Sequence, residues 1–204
     1  MKFIDISLDL SPKTVTWPRE QPMKHDERRG TAITSRFDMP SHFGTHIDAP
    51  KHFVFSMSGV DKIPLNKLIG PCKVFKIKPS NDYLIKLSDI KKLSIKKGDK
   101  ILLKTTNSKL LSKNKFFDNY VSLSLEAAKY MASLPIDLVG IDYFGIEAKS
   151  APGHPVHKAL LKKHVVIVEA VDLSKVKPGN YNIAALPLKI KAGDGSPCRV
   201  VLWK

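Results

Sequence analysis

No run of roughly eighteen apolar residues occurs in the 204-residue chain, so the usual signal of a membrane-spanning helix is missing. Cysteine is scarce. Cys72 and Cys198 stand far apart, each beside apolar residues; their spacing offers neither a zinc knuckle nor a redox pair, and buried free thiols are the simpler reading. No glycine-rich phosphate loop and no Gly-x-Ser-x-Gly elbow is present, which removes support for nucleotide-driven or serine-nucleophile chemistry. Without repeats or low-complexity linkers, one domain over residues 1–204 is expected, and the length suffices for one sizeable core. The start, Phe3-Ile4-Asp5-Ile6-Ser7-Leu8-Asp9, alternates like a strand and carries aspartate where a signal peptide would be apolar. A cytoplasmic location is expected.

Arginine is also rare, with five among 34 basic residues, and glutamine occurs once, at Gln21. The formal net charge of +15 would ordinarily suggest nucleic acid or another anionic partner. The lysines, however, are spread in pairs such as Lys91-Lys92, Lys96-Lys97 and Lys162-Lys163, with no basic helix or aromatic-interleaved groove. No nucleic-acid or membrane partner is therefore expected. Heat adaptation or an AT-rich genome would account equally well for the lysine excess.

What the chain does have is concentrated in Ser41-His42-Phe43-Gly44-Thr45-His46-Ile47-Asp48-Ala49-Pro50-Lys51-His52-Phe53. Imidazole and carboxylate suit zinc, manganese or ferrous iron, and a catalytic site needs about three protein ligands with one position left open. His42, His46 and Asp48 supply three. Gly44, Pro40 and Pro50 argue against a helix, so the segment reads as extended with a turn at Gly44. His46 and Asp48 then face one side of a strand, and the turn can bring His42 to the same point. His52 falls close by, placed for general acid or base work. A second cluster lies downstream, where His154-Pro155-Val156-His157 opens a helical run and the strand Val165-Val166-Ile167-Val168 ends on Glu169. A carboxylate in a buried strand is costly unless it is paired or binds a metal.

The pattern His42-x-Gly44-Thr45-His46-x-Asp48-x-Pro50-x-His52-Phe53 resembles the signature of the metal-dependent cyclase family, which includes bacterial kynurenine formamidase and isatin hydrolase. Weaker agreement runs from Trp17 to the carboxyl terminus, through Gly140-Ile141-Asp142 and the closing stretch from Asp194 to Leu202. The resemblance implies that His157 and Glu169, twelve positions apart, complete the metal site, with His157 preferred to His154 on spacing. It implies one or two zinc ions, with Asp48 and Glu169 bridging if there are two, and manganese as the alternative metal. Trp17 becomes the candidate aromatic clamp for an aryl substrate.

The implied fold is α/β: a swivelling β/β/α domain with a mixed, partly barrel-like sheet and a few outer helices, assembled as a homo-oligomer, a dimer or tetramer. The implied activity is hydrolysis of a carbon–nitrogen amide bond, with N-formylkynurenine going to kynurenine and formate in tryptophan breakdown. Tyr143-Phe144-Gly145-Ile146-Glu147 departs from the serine-containing stretch the family has here, which keeps a cyclic amide of the isatin type as a rival substrate. A reading of another class, a basic nucleic-acid-binding protein with a structural metal, predicts salt-sensitive binding.

Elsewhere, strands are expected over residues 3–10, 31–39, 73–77, 101–105 and 138–142. The segment from Lys13 to Arg36 reads as a loop, and helices are expected after caps at Ser88 and Ser124. Asp142 is read as orienting a loop, and Leu186-Pro187-Leu188 as core around the site.

Overall fold

The computed structural model describes residues 2–79, 82–113 and 115–204. Strands β1 (Phe3–Asp5), β2 (Lys24–Arg29), β3 (Ile33–Asp38) and β4 (His46–Asp48) come first. Helix α1 (Leu65–Leu68), β5 (Ile69–Lys76), β6 (Leu84–Ile85), α2 (Leu87–Lys91), β7 (Lys100–Lys104) and α3 (Ser108–Leu111) follow. The remainder runs β8 (Ser122–Leu123), α4 (Leu125–Ser133), β9 (Leu138–Ile141), α5 (Pro155–Leu161), β10 (Val166–Glu169), β11 (Gly179–Pro187) and β12 (Gly195–Trp203).

The main sheet orders its strands β1-β12-β11-β5-β7-β9-β10-β4, and β4 pairs again with β12. That second pairing closes the sheet into a barrel and leaves β1 outside the ring. Strands β5, β7, β9 and β10 are mutually parallel, while β11, β12 and β4 run antiparallel to their neighbours. The mixed α/β, barrel-like architecture expected from the sequence is the one observed.

Period-2 alternation sorts each apolar run into two cores. Ile101, Leu103, Val139, Ile141 and Ile167 face outward under the helices, with Ile90, Ala128, Met131, Leu160 and Leu161 packed on them. Leu102, Leu138, Val166 and Val168 face inward, meeting Ile47, Val74, Ile183, Ala185, Val200 and Leu202. Each fully buried aliphatic side chain of this kind contributes about 1.5–3 kcal/mol. Gly140 belongs to the inward row: a Cβ there would lie 2.5 Å from Leu102 Cδ2 and 3.3 Å from Val168 O, so the barrel interior has no room for it. Helix α4 starts where Ser124 Oγ accepts the Ala127 N–H at 3.2 Å, and it buries Ala127, Ala128, Met131 and Ala132.

Several local expectations need correction. The first strand ends at Asp5 rather than residue 10, because Ser7 turns its N–H back to Asp5 Oδ1 at 3.0 Å. The segment taken as a loop contains β2, which forms a hairpin with β3 that is exposed on both faces. Helix α2 is capped at Lys86, whose N–H is accepted by Asp89, and Ser88 lies inside the helix. Leu186 and Leu188 are exposed at 44% and 59%, so that stretch is not core. Asp142 does orient a loop: it accepts bonds from the backbone N–H and hydroxyl of both Thr105 and Ser108. Cys72 and Cys198 are both free. Among the described residues, no helix is long and apolar enough to cross a membrane.

Candidate metal centre

The site sits where the barrel closes. Gly44 adopts φ +59°, the left-handed region open to glycine, and turns the chain into β4. In β4, Ile47 enters the inner core while His46 and Asp48 face the opposite side. The ladder sets His46 directly across from Glu169 on one flank and from Pro197 on the other, with Asp48 across from Gly195. Helix α5 brings in His157 from above, after a start at His154 in the left-handed conformation (φ 53°).

The donors converge closely. His46 Nδ1 lies 2.9 Å from Gly44 O, which leaves Nε2 aimed at Asp48 Oδ1 and Glu169 Oε2, each 3.4 Å away. His157 is held in the same fashion: Nδ1 lies 2.7 Å from Glu147 Oε2, and Nε2 faces Glu169 Oε1 at 3.3 Å and Asp48 Oδ2 at 3.7 Å. His42 bridges Asp48 Oδ1 (2.8 Å) and Asp194 Oδ2 (3.0 Å). Four triples of ligand atoms each lie within 4.8 Å of one another; His42/His46/Asp48 and Asp48/His157/Glu169 share Asp48, while His42/His52/Asp194 and Glu147/His154/His157 flank them nearer the surface. The nitrogen and oxygen set fits a divalent cation of the zinc or manganese type. Two carboxylates buried this deeply, Asp48 at 1% and Glu169 at 3% exposure, are costly without concentrated positive charge beside them.

In the protein alone the histidines provide that charge. Burial pushes the His46 imidazolium toward deprotonation, but hydrogen bonds to Asp48 and Glu169 outweigh it and hold its pKa at about 10. For His157, burial is likewise outweighed by Glu147 and Glu169, again giving about 10. Burial raises both acids, yet Asp48 and Glu169 end below the ordinary carboxylate value because of their histidine partners. The stabilisation from the charged histidines is complete below the ordinary 6.5 and is lost as pH climbs through about 10. That of the two carboxylates is present above their ordinary range and disappears as pH falls through their lowered values. Filling both triples that share Asp48 needs the Nε2 lone pairs of His46 and His157 and one from His42, whose pKa is raised as well, so loading at pH 8 should expel at least about two protons, and affinity should rise steeply with pH. Calorimetric titration with zinc in two buffers of different ionisation enthalpy measures that number directly.

His52 stands apart from this charge network. Its ring centroid lies 3.9 Å from that of His42, and its Nδ1 is 3.7 Å from Asp194 Oδ2, too far for a hydrogen bond. Burial lowers its pKa to about 4 despite the nearby Asp48 charge, so the ring is neutral at ordinary pH. All these groups line one cavity of about 550 Å³. Trp17, Phe53 and Phe144 form its apolar walls, with Trp17 set edge-on against Phe116 at 5.0 Å. Gly145 allows that placement, since a Cβ there would come 2.9 Å from Trp17 Cζ3.

The structure thus gathers His42, His46, Asp48, His52, His157, Glu169 and Trp17 around one cavity. His154 stays at the rim, its ring stacked 4.5 Å from Phe53, and His25 and His164 are exposed elsewhere. Two carboxylates escape the sequence reading. Glu147 is 2% exposed and accepts from both the Val156 N–H (2.7 Å) and His157; its sequence signal is an acid following the apolar Tyr143-Phe144-Gly145-Ile146. Asp194 accepts from Ser41 Oγ and faces His42, and only its place at the head of the closing stretch hints at a role.

Gly195, next to Asp194, carries a steric demand. A Cβ there would lie 2.6 Å from His42 Cε1 and 2.7 Å from Ile47 O. Gly195→Ala should cost about 1–3 kcal/mol of stability, because the Ile47 carbonyl belongs to the strand pairing and cannot yield. Denaturant unfolding of the metal-free protein checks it, with a lower midpoint as the expected outcome.

Residues 4–148 match the model of the putative cyclase family. The kynurenine formamidase of Salinibacter ruber is 31% identical, over 99% of this chain and 97% of its own length. A solved structure described as a potential metal-dependent hydrolase with cyclase activity is 38% identical and superposes with a TM-score of 0.88, covering 98% of this chain and 96% of its own. Isatin hydrolase A from Ralstonia solanacearum shares the fold, with a TM-score of 0.84 at 22% identity over 98% of this chain and 91% of its own.

Proposed function

The chain belongs to the putative cyclase family, and from that premise we propose that it is a metal-dependent hydrolase of aryl amides, with N-formylkynurenine as substrate and kynurenine and formate as products. One observation carries the reading: a buried carboxylate, Asp48, is shared by two donor triples on the floor of an aromatic-walled cavity.

His42, His46 and Asp48 would hold one cation and Asp48, His157 and Glu169 a second, zinc first and manganese as the alternative. A cation so held supplies Lewis acidity, acidifying a water molecule and drawing electrons from the amide carbonyl. The chain supplies the remaining functions. His46 and His157 are kept with Nε2 forward by Gly44 O and Glu147. Trp17 and Phe144 line the wall against which the aryl ring would lie, turning the formamide toward the cluster. His52, neutral and beside the donors, takes the proton from the attacking water and returns it to the amide nitrogen. Water adds to the formyl carbon, the carbon–nitrogen bond breaks, and the amine leaves neutral rather than as an anion.

The same arrangement would open a cyclic amide, so isatin is the second substrate to assay. The enzyme is taken as cytoplasmic and homo-oligomeric, with a small aryl amide rather than nucleic acid as its partner. In support of that last choice, Lys73, Lys100 and Lys104 are spent on internal contacts with Asp99, Asp137 and the carbonyls of Ser174 and Val176. Formate release from N-formylkynurenine should vanish on chelation and return on adding zinc or manganese. Activity that survives complete metal removal overturns the reading.

A further inference from the structure

The three ligand histidines of the cluster do not present the same ring nitrogen. His46 and His157 each turn Nδ1 to an acceptor behind them, Gly44 O and Glu147, and offer Nε2 to the carboxylates. His42 is reversed. Its Nδ1 lies 2.8 Å from Asp48 Oδ1, inside the triple it shares with His46, while its Nε2 points away to Asp194 Oδ2 at 3.0 Å. The chemistry derived above gives Asp194 no part.

The turn that carries Asp194 is fastened bond by bond to the segment following β4. The Ala192 N–H donates to Asp61 Oδ1 and the Ala192 carbonyl accepts from Lys51 Nζ, both at 2.9 Å. Gly193 O accepts the Val60 N–H at 2.8 Å, and Asp194 O accepts the Ala49 N–H at 2.9 Å. Ala192 is held at φ 56°, a left-handed conformation that alanine seldom takes. The two segments lie so close that a Cβ on Gly59 would come 2.7 Å from the Ala192 carbonyl carbon. The backbone beneath the Asp194 carboxylate is thereby fixed, and Oδ2 also accepts from Ser41 Oγ at 3.2 Å.

We propose that Asp194 is a positioning residue: by accepting the Nε2–H of His42, it keeps the Nδ1 of that ring turned to the inner triple as a metal donor. An ionised carboxylate can only accept, so the nitrogen facing it carries a hydrogen. Two carboxylates flank the ring. Asp48 belongs to the inner triples and Asp194 to the outer one with His42 and His52, so the hydrogen on the Asp48 side is the one that a cation displaces. The proposal rests on the metal-centre reading and concerns how that centre is assembled, whatever the substrate.

The test follows zinc binding to the metal-free full chain by competition with a chromophoric chelator, beside heteronuclear NMR spectra of histidine-labelled protein. In the zinc-loaded parent, His42 should keep its hydrogen on Nε2 while His46 and His157 keep theirs on Nδ1. Asp194→Ala should leave the zinc stoichiometry at saturation unchanged, raise Kd about tenfold to a hundredfold, and erase the distinct His42 signal. Asp194→Asn, which retains an acceptor oxygen, should raise Kd less and keep that signal. The parent spectrum decides the His42 tautomer even if the alanine variant fails to fold. Zinc held as tightly by Asp194→Ala as by the parent, or a parent His42 bound through Nε2, overturns the proposal. Loss of a whole equivalent of zinc from the variant overturns it too, since Asp194 would then be a ligand. A parent that takes up no zinc overturns the metal-centre reading and the proposal with it.

Discussion

Asp48→Asn should strip the centre of its cation and cut formate release from N-formylkynurenine on the order of a thousandfold. No other residue is asked to do so much. Its two oxygens reach His42 at 2.8 Å, His46 at 3.4 Å and His157 at 3.7 Å, and it belongs to both ligand triples. The amide keeps the shape but surrenders the charge, and one of its two ends becomes a donor facing histidines that must themselves donate in the metal-free state. The loss is therefore electrostatic before it is steric. Elemental analysis of the purified variant beside the formate assay measures both consequences. A variant that keeps stoichiometric metal and a tenth of the parent's turnover would show that Asp48 is not a ligand.

His52→Ala should leave metal content unchanged and lower kcat about a hundredfold to ten-thousandfold. The ring is neutral down to about pH 4 because burial disfavours its charged form, so it stands ready as a base across the working range. Protonation of His52 removes the base only as pH approaches that value, and the acid limb of the parent's activity should instead follow release of the cation from His46 and His157. In the variant that limb should keep its position while the plateau drops. A plateau unchanged in height would leave the proton transfer to another group, and a loss of metal would place His52 among the ligands.

The site was legible in the sequence where local geometry fixes it. His46 and Asp48 sit two apart with Gly44 just before, so any extended reading sets both on one side and offers a turn for His42. Glu169 was legible through cost, as an acid ending an apolar strand. The parallel strands β7, β9 and β10 were legible because continuous apolar runs demand cover on both faces. Of the hairpin, β3 was legible within the strand expected over 31–39, but β2 was not, since Lys-His-Asp-Glu-Arg-Arg has no apolar face to alternate and its cross-strand contacts, His25 with Ser35 and Phe37, exist only once the pairing is made. Glu147 and Asp194 were hidden for another reason: their partners His157 and His42 lie 10 and 152 residues away. Leu186 and Leu188 misled because hydrophobicity says what a residue tolerates, while the register of β11 decides where its side chain goes.

The shortest rung of the ring is also its hasp. Strand β4 touches β10 through three residue pairs and β12 through three more, and the ligand groups stand on that same splice. Unzipping β4 from either neighbour would scatter His46, Asp48 and Glu169 at a stroke, so no half-assembled pocket can persist on an opened cylinder. Whatever grips those side chains from within fastens the circumference as well, and the polypeptide's cooperativity is then inseparable from its cargo of charge.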